Sequence, residues 1–215
     1  MDEVEMPSSP VAGERSLGRL LGLSDGVFAI AMTLLVLNLE IPPDTDAADV
    51  GQALWDLAPE AGAYALSFAV IGLFWLAHHR LFNVIVEIDH PLIMTNLVFL
   101  GFIALIPFPT EVFGTFGNEP ASIAYASVMS LAGFAGTLLW VRALRAGLTD
   151  PRVHRDYLVH GIWRGVVIGG TFLLSLPLVV LSPDTAGLSW LLIFVGEAIL
   201  ARRFGSIHRL PKHPG

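Results

Sequence analysis

The residues able to do chemistry gather at two points of the chain. Arg19, Ser24 and Asp25 stand near the start of one apolar run, and His78, His79 and Arg80 close the next, after Trp75. Ionisable side chains at membrane depth are costly, pair with one another or face water, and mark ion or proton pathways. Both groups sit toward the same membrane face, so contact between them is geometrically reasonable. Such contact has two readings: an ionic lock of Asp25, Arg19 and a histidine that orients two helices, or a part in ion passage. The two are compatible. Adjacent histidines project about 100° apart on a helix, a poor bidentate metal site, so no metal is expected. Glu197, a little over a turn before Arg202, reads as the partner of a basic residue such as Arg164. With no cysteine in 215 residues, disulfides, thiolate metal sites and cysteine nucleophiles are all excluded. No other cluster of nucleophiles or ligands replaces them, so the chain reads as neither an enzyme nor a cofactor protein.

The elements that position these residues belong in a bilayer. Hydrophobic residues make up 54% of the chain and charged residues 14%, with a mean hydropathy of +0.67. A soluble domain of that composition would lack polar surface. Crossing the hydrocarbon takes roughly 20 mostly apolar residues as helix. Six stretches qualify: 20–39, 61–77, 91–108, 121–141, 157–181 and 186–201. Proline and acidic clusters punctuate them. The acidic N-terminus lacks the basic region of a signal peptide, so the first run reads as a retained span. The expectation is an all-α membrane protein, one bundle of six transmembrane helices over residues 15–203. A flexible tail, 1–14, precedes it and a basic tail, 204–215, follows.

Charge sets the orientation. All 12 Lys and Arg lie in the tails, the second and fourth connections, or the helix ends beside them. The first, third and fifth connections hold acids instead: Glu40, Asp44, Asp46, Asp49, Asp56, Glu60, Glu111, Glu119 and Asp184. Basic connections face the cytoplasm, which puts both termini inside and requires an even number of spans. Trp140 and Trp163 near the inner ends, and Trp55 and Trp190 near the outer, suit interfacial belts.

The segment Arg19-xxx-Leu23-Ser24-Asp25, followed by Gly-Val-Phe-Ala-Ile-Ala-Met-Thr, resembles a known signature. It is the Arg-xxx-Phe-Ser-Asp opening of the first helix in the endolysosomal potassium channel family and its bacterial relatives (transmembrane protein 175 type). The likeness extends through Phe74-Trp-Leu-Ala-His-His-Arg-Leu-Phe and Leu105-Ile-Pro-Phe-Pro-Thr. Leu23 departs from the family's usual phenylalanine, which bears on local packing. The resemblance implies a six-helix subunit that associates with itself as a homotetramer in the plasma membrane, its first helices lining a potassium-permeable pore. It places Ile30, Thr33 and Leu37 on that pore. At 100° per residue the three share a sector of about 60°, which Gly26 and Ile41 extend. It makes Arg19, Ser24, Asp25, Trp75, His78 and His79 a network bracing the pore helix. The Thr-Val-Gly-Tyr-Gly carbonyl filter of ordinary potassium channels is absent from the sequence. Selectivity would then rest on an apolar constriction and threonine hydroxyls. The competing readings are a proton-coupled transporter or proton leak through Asp25 and the histidines, and a pore-less scaffold. The inverted repeat and broken midplane helices of a transporter are not evident.

The charge partition generates the first test. Single cysteines at Asp46, Glu119 and Ser182 are expected to react with impermeant thiol reagents from outside the cell, and ones at His90 and Asp150 are not. External labelling at position 150 would overturn the orientation.

Overall fold

The structure, a computed structural model, describes residues 10–204, with side chains from residue 15 to 202 apart from 183–186, 197, 200 and 201. Residues 1–9 and 205–215 and the Glu197 side chain lie outside the described residues, while residues 10–14 of the expected N-terminal tail are helical. Helix α1, Pro10–Leu34, tightens into a 3-10 turn, Leu35–Asn38. A short α2, Val50–Asp56, leads directly into α3, Ala58–Phe82. Then come α4, His90–Leu105, and α5, Pro107–Phe116, separated at Ile106 because Pro107 and Pro109 cannot donate to a continuous ladder. Helices α6, Glu119–Ala146, and α7, Arg155–Leu181, follow, and the chain ends in α8, Pro183–Trp190, and α9, Leu192–Phe204. Gly117 and Gly147, with φ of 57° and 67°, take the left-handed conformation that closes α5 and α6.

Among the described residues, five helical segments are long and apolar enough to cross a membrane: Arg15–Asn38, Ala58–Phe82, His90–Phe116, Glu119–Ala146 and Arg155–Leu181. This is a multi-pass, all-α membrane protein. The expected sixth stretch, 186–201, falls on α8 and α9, which break at Leu191.

The second and fourth connections lie on one face. Val86 N–H donates to the Leu148 carbonyl at 2.9 Å and Asp150 N–H to Val84 at 2.8 Å, around an isolated Ile85–Thr149 bridge. The Arg142 guanidinium donates to the Asp89 carboxylate. Asp89 also caps α4 by accepting the Leu92 N–H at 2.8 Å. Burial alone would raise its pKa, but the amide and guanidinium outweigh that and hold it below the ordinary carboxylate value.

Helices α6 and α7 form the tightest pair. A Cβ on Gly133 would sit 2.6 Å from the Gly169 Cα, one on Gly165 would sit 2.3 Å from Thr137 Oγ1, and one on Gly161 would sit 2.3 Å from the Trp140 ring. Gly161, Gly165 and Gly169 recur every four residues, the small-residue spacing that lets membrane helices touch backbone to backbone. Ser130 Oγ donates across this seam to the Gly169 carbonyl at 3.0 Å. The sequence reading passed over this pattern. It also misplaced two tryptophans. Trp140 is buried on Gly161, and Trp190 is buried among Phe113, Tyr125 and Phe172, its Nε1 donating to Ser175 at 2.7 Å. Trp55 and Trp163 are exposed.

Two expectations follow. Gly133→Ala drives a methyl into the α7 backbone and should destabilise by about 1–3 kcal/mol. Gly170→Ala, with nothing within 4 Å of the new atom, should be neutral or mildly stabilising. Thermal melts in detergent compare them, and equal melting would refute the seam. For Asp89 the lowered folded pKa means that the unfolded chain takes up the proton first as pH falls. The charge therefore stabilises the fold above the unfolded value of about 3.9 and ceases to do so below the folded value. Asp89→Asn keeps a capping oxygen but should melt lower than wild type at pH 7, with the gap closing toward pH 3.

Candidate functional site

Helix α1 has two faces. At 100° per residue Leu20, Ser24, Phe28, Ala31 and Leu35 occupy one sector of about 80°, and all five are buried against α3 and α4. Gly26, Ile30 and Thr33 lie roughly 150° away from it and are exposed. Ile30 is 60% exposed and Leu37 62%, whereas Phe28 is 1% and Leu35 0%. The 3-10 turn shifts Leu37 toward Leu34, since residues three apart eclipse there, yet Leu37 stays on the open side. Thr33 Oγ1 donates back to the carbonyls of Ala29 and Ile30, at 3.0 and 2.9 Å. That spends its proton inside the helix and leaves its lone pairs outward.

The buried face is held by a directional hydrogen-bond chain. Ser24 Oγ donates to the Leu20 carbonyl at 2.9 Å, so its oxygen must accept from Asn96 Nδ2 at 3.0 Å. Asn96 then turns Oδ1 toward His78 Nε2, 3.0 Å away, and the imidazole must carry its proton on Nε2. Three helices are tied by one chain: α3 through His78, α4 through Asn96, α1 through Ser24. Each group is buried. Aromatic rings enclose the imidazole, with Phe82 stacked at 4.2 Å, Phe28 tilted at 5.6 Å and Phe99 stacked at 6.1 Å between centroids.

Asp25 is placed differently from its neighbour. It is exposed and accepts from Trp75 Nε1 at 3.0 Å, and Trp75 stacks on His79 at 5.3 Å. The expected pairing of Asp25 or Arg19 with a histidine is replaced by this arrangement. One histidine turns inward to Asn96 and the other outward onto the indole, as their 100° separation requires. Arg19 is exposed, without a partner among the described residues. At the far end of α1 Asn38 Nδ2 reaches the Pro107 carbonyl at 3.5 Å, tying that end to the α4–α5 break.

A second polar chain sits near the α4–α5 break. Thr110 Oγ1 donates to the Ile106 carbonyl at 2.8 Å, so Ser67 donates to Thr110 and Tyr125 to Ser67, both at 2.9 Å. It ties α3, α5 and α6. Asn96, Ser67, Thr110 and Tyr125 were missed in the sequence, although a lone Asn within the apolar stretch 91–108 was a signal of the kind that singled out Asp25.

The model of the family described as endosomal/lysosomal potassium channel TMEM175 matches residues 19–107. A Streptomyces collinus potassium channel is 37% identical over 142 residues, covering 63% of this chain and 69% of that protein. The chain belongs to the TMEM175 family. A Chamaesiphon minutus potassium channel is 35% identical over 60% of this chain and 66% of its own length. The mouse endosomal/lysosomal proton channel TMEM175 is 32% identical over 71% of this chain, which spans only 33% of that protein. Among solved structures, the crystal structure of a lysosomal potassium-selective TMEM175 homologue from Chamaesiphon minutus superposes with a TM-score of 0.75 at 27% identity, covering 86% of this chain and 98% of that one. The TMEM175 match runs over residues 19–107 and so takes in α1 from Arg19 onward with all of α3 and α4, the three helices joined through Ser24, Asn96 and His78. The TMEM175 structural likeness reaches well beyond it.

Removing the middle of the chain tests its weight. Asn96→Leu leaves the His78 N–H without an acceptor in an apolar site and should cost about 1–3 kcal/mol. Asp25→Asn, which keeps an acceptor for the indole, should cost less. Melting curves of the two variants decide, and an Asn96→Leu protein as stable as wild type would sink the assignment.

Proposed function

We propose that this chain is a potassium-permeable cation channel of the plasma membrane, a homotetramer of six-span subunits whose first helices surround the pore. The observation that carries the reading is the open face of α1. Ile30, Thr33 and Leu37 lie uncovered on a helix whose opposite face is locked into its own subunit. Relatives named as potassium channels support the permeant ion. In this reading the side chains of Ile30 and Leu37 close apolar rings that water wets poorly, so that an ion passes only by shedding hydration. Thr33 supplies a layer of acceptor oxygens between them, lone pairs outward. Arg19, Ser24, Asp25, Trp75, His78 and His79 hold or flank the inner half of the pore helix. Both termini are cytoplasmic, and the nine acids of the outer connections raise the local cation concentration at the mouth. The permeant ion is the only cofactor-like species needed, and the surrounding partner is membrane lipid.

A proton relay from Asp25 to His78 draws less support, although the mammalian relatives are named proton channels. His78 spends its Nε2 proton on Asn96, and Asp25 accepts from an indole that gives up no proton.

Reversal potentials under asymmetric potassium and sodium test the pore. Ile30→Asn widens the ring and adds amide dipoles, so conductance should rise and the preference for potassium should shrink. Thr33→Ala should reduce that preference without a large gain in current. Assembled Ile30→Asn channels with unchanged permeability ratios would remove this residue from the pore.

A further inference from the structure

Helix α2 is attached to the membrane with no slack. Leu57 both closes α2 and opens α3: its N–H donates to the Ala53 carbonyl at 3.2 Å, and its carbonyl accepts from Ala61 at 2.9 Å. A one-residue link keeps the short helix beside the end of a spanning segment, on the face opposite the joined second and fourth connections. At 100° per residue Gln52, Asp56 and the preceding Asp49 share a sector of about 60°. Gln52 Nε2 donates to Asp56 Oδ1 at 2.7 Å, so this polar sector is closed on itself. Val50, Ala53, Leu54 and Leu57 fill a separate sector of about 100°, and Trp55 lies between the two sectors, about 100° from Leu54 and about 60° from Gln52. No residue of α2 is buried, Leu54 is 58% exposed, and Trp55 at 76% is among the most exposed large apolar side chains. Ala53 and Leu57 are half-buried, whereas Val50, Leu54 and Trp55 are left uncovered.

We propose that α2 is an interfacial anchor that lies flat in the leaflet beside it. Val50, Leu54 and Trp55 sit in the boundary between headgroups and acyl chains, and Asp49, Gln52 and Asp56 face water. An indole beside aliphatic side chains suits that boundary, where one end of the ring is apolar and the other hydrogen-bonds. A seven-residue helix is too short to hold itself on a bilayer as a free peptide, but tethering to α3 supplies the effective concentration. Charge favours lipid over a second copy as the occupant. The connections on this side carry nine acids and no Lys or Arg, so a matching surface offers no cation to Asp49 or Asp56. The anchor sets the depth of α3, and with it the level of Trp75 and His78 against α1.

The absence of cysteine makes the test direct. Single cysteines replacing Gln52, Leu54 and Trp55 in the full chain are labelled with an environment-sensitive fluorophore and reconstituted into phosphatidylcholine vesicles. Shallow-brominated, deep-brominated and unbrominated lipids are compared, with iodide as the aqueous quencher. Labels at 54 and 55 should emit to the blue of the label at 52 and be quenched severalfold more by shallow than by deep bromines. The label at 52 should respond to iodide instead. Equal iodide quenching at all three positions places α2 in water, and labels at 54 and 55 blind to both quenchers place it against protein. Either result overturns the anchor. Melting of each labelled protein at the wild-type temperature confirms that the fold is intact.

Discussion

Inside hydrocarbon a polar side chain has no water to fall back on, so its partners must come from other helices. The run from His78 Nε2 through Asn96 and Ser24 to the Leu20 carbonyl meets that demand with three residues on three helices. Each link fixes the next: the serine proton dictates the orientation of the amide, and the amide dictates the imidazole tautomer. The rotational setting of α1 depends on it, because turning Ser24 away would strand the buried Asn96 amide donor. Holding Ser24 inward necessarily holds Ile30 and Thr33 outward.

The remainder of the subunit gives that chain a rigid backing. The glycine seam brings α6 and α7 into backbone contact. Phe99 of α4 connects the two regions, lying 3.2 Å from where a Cβ on Gly136 of α6 would be and packing on Phe28 and His78. Near the α4–α5 break Tyr125, Ser67 and Thr110 repeat the same solution, directional hydroxyl donation ending on a backbone carbonyl. The helix break at Ile106 falls within this second tied region, since the Ile106 carbonyl is the acceptor on which the hydroxyl chain ends.

Much of this was legible in the sequence. Long apolar runs give the spans, and the boundaries came within a few residues where proline or acidic clusters mark them. The positions that failed share a physical cause. Trp190 reads as a belt residue because its neighbours Phe113, Tyr125 and Phe172 are distant in sequence. Gly161, Gly165 and Gly169 look like diluted hydrophobicity until a partner helix presents Gly133 and Thr137. The sixth apolar stretch carries no internal sign of the break at Leu191. Asp25 and His78 stand out in the sequence as polar residues of apolar runs, but partner choice depends on rotation about the helix axis. Asn96 lies on the side that His78 faces, and Trp75 reaches Asp25.

In the proposed channel one side of α1 belongs to its subunit, where Phe28 and Leu35 are buried, and the other side, with Ile30 and Leu37 exposed, faces the conduction path. A cysteine scan of α1 tests this most directly, since the chain has no native cysteine to remove. With water-soluble thiosulfonates applied during recording, modification at Gly26, Ile30, Thr33 and Leu37 should alter current, while Phe28, Ala31 and Leu35 should be silent. Current changes on the second set, or none on the first, would contradict the account.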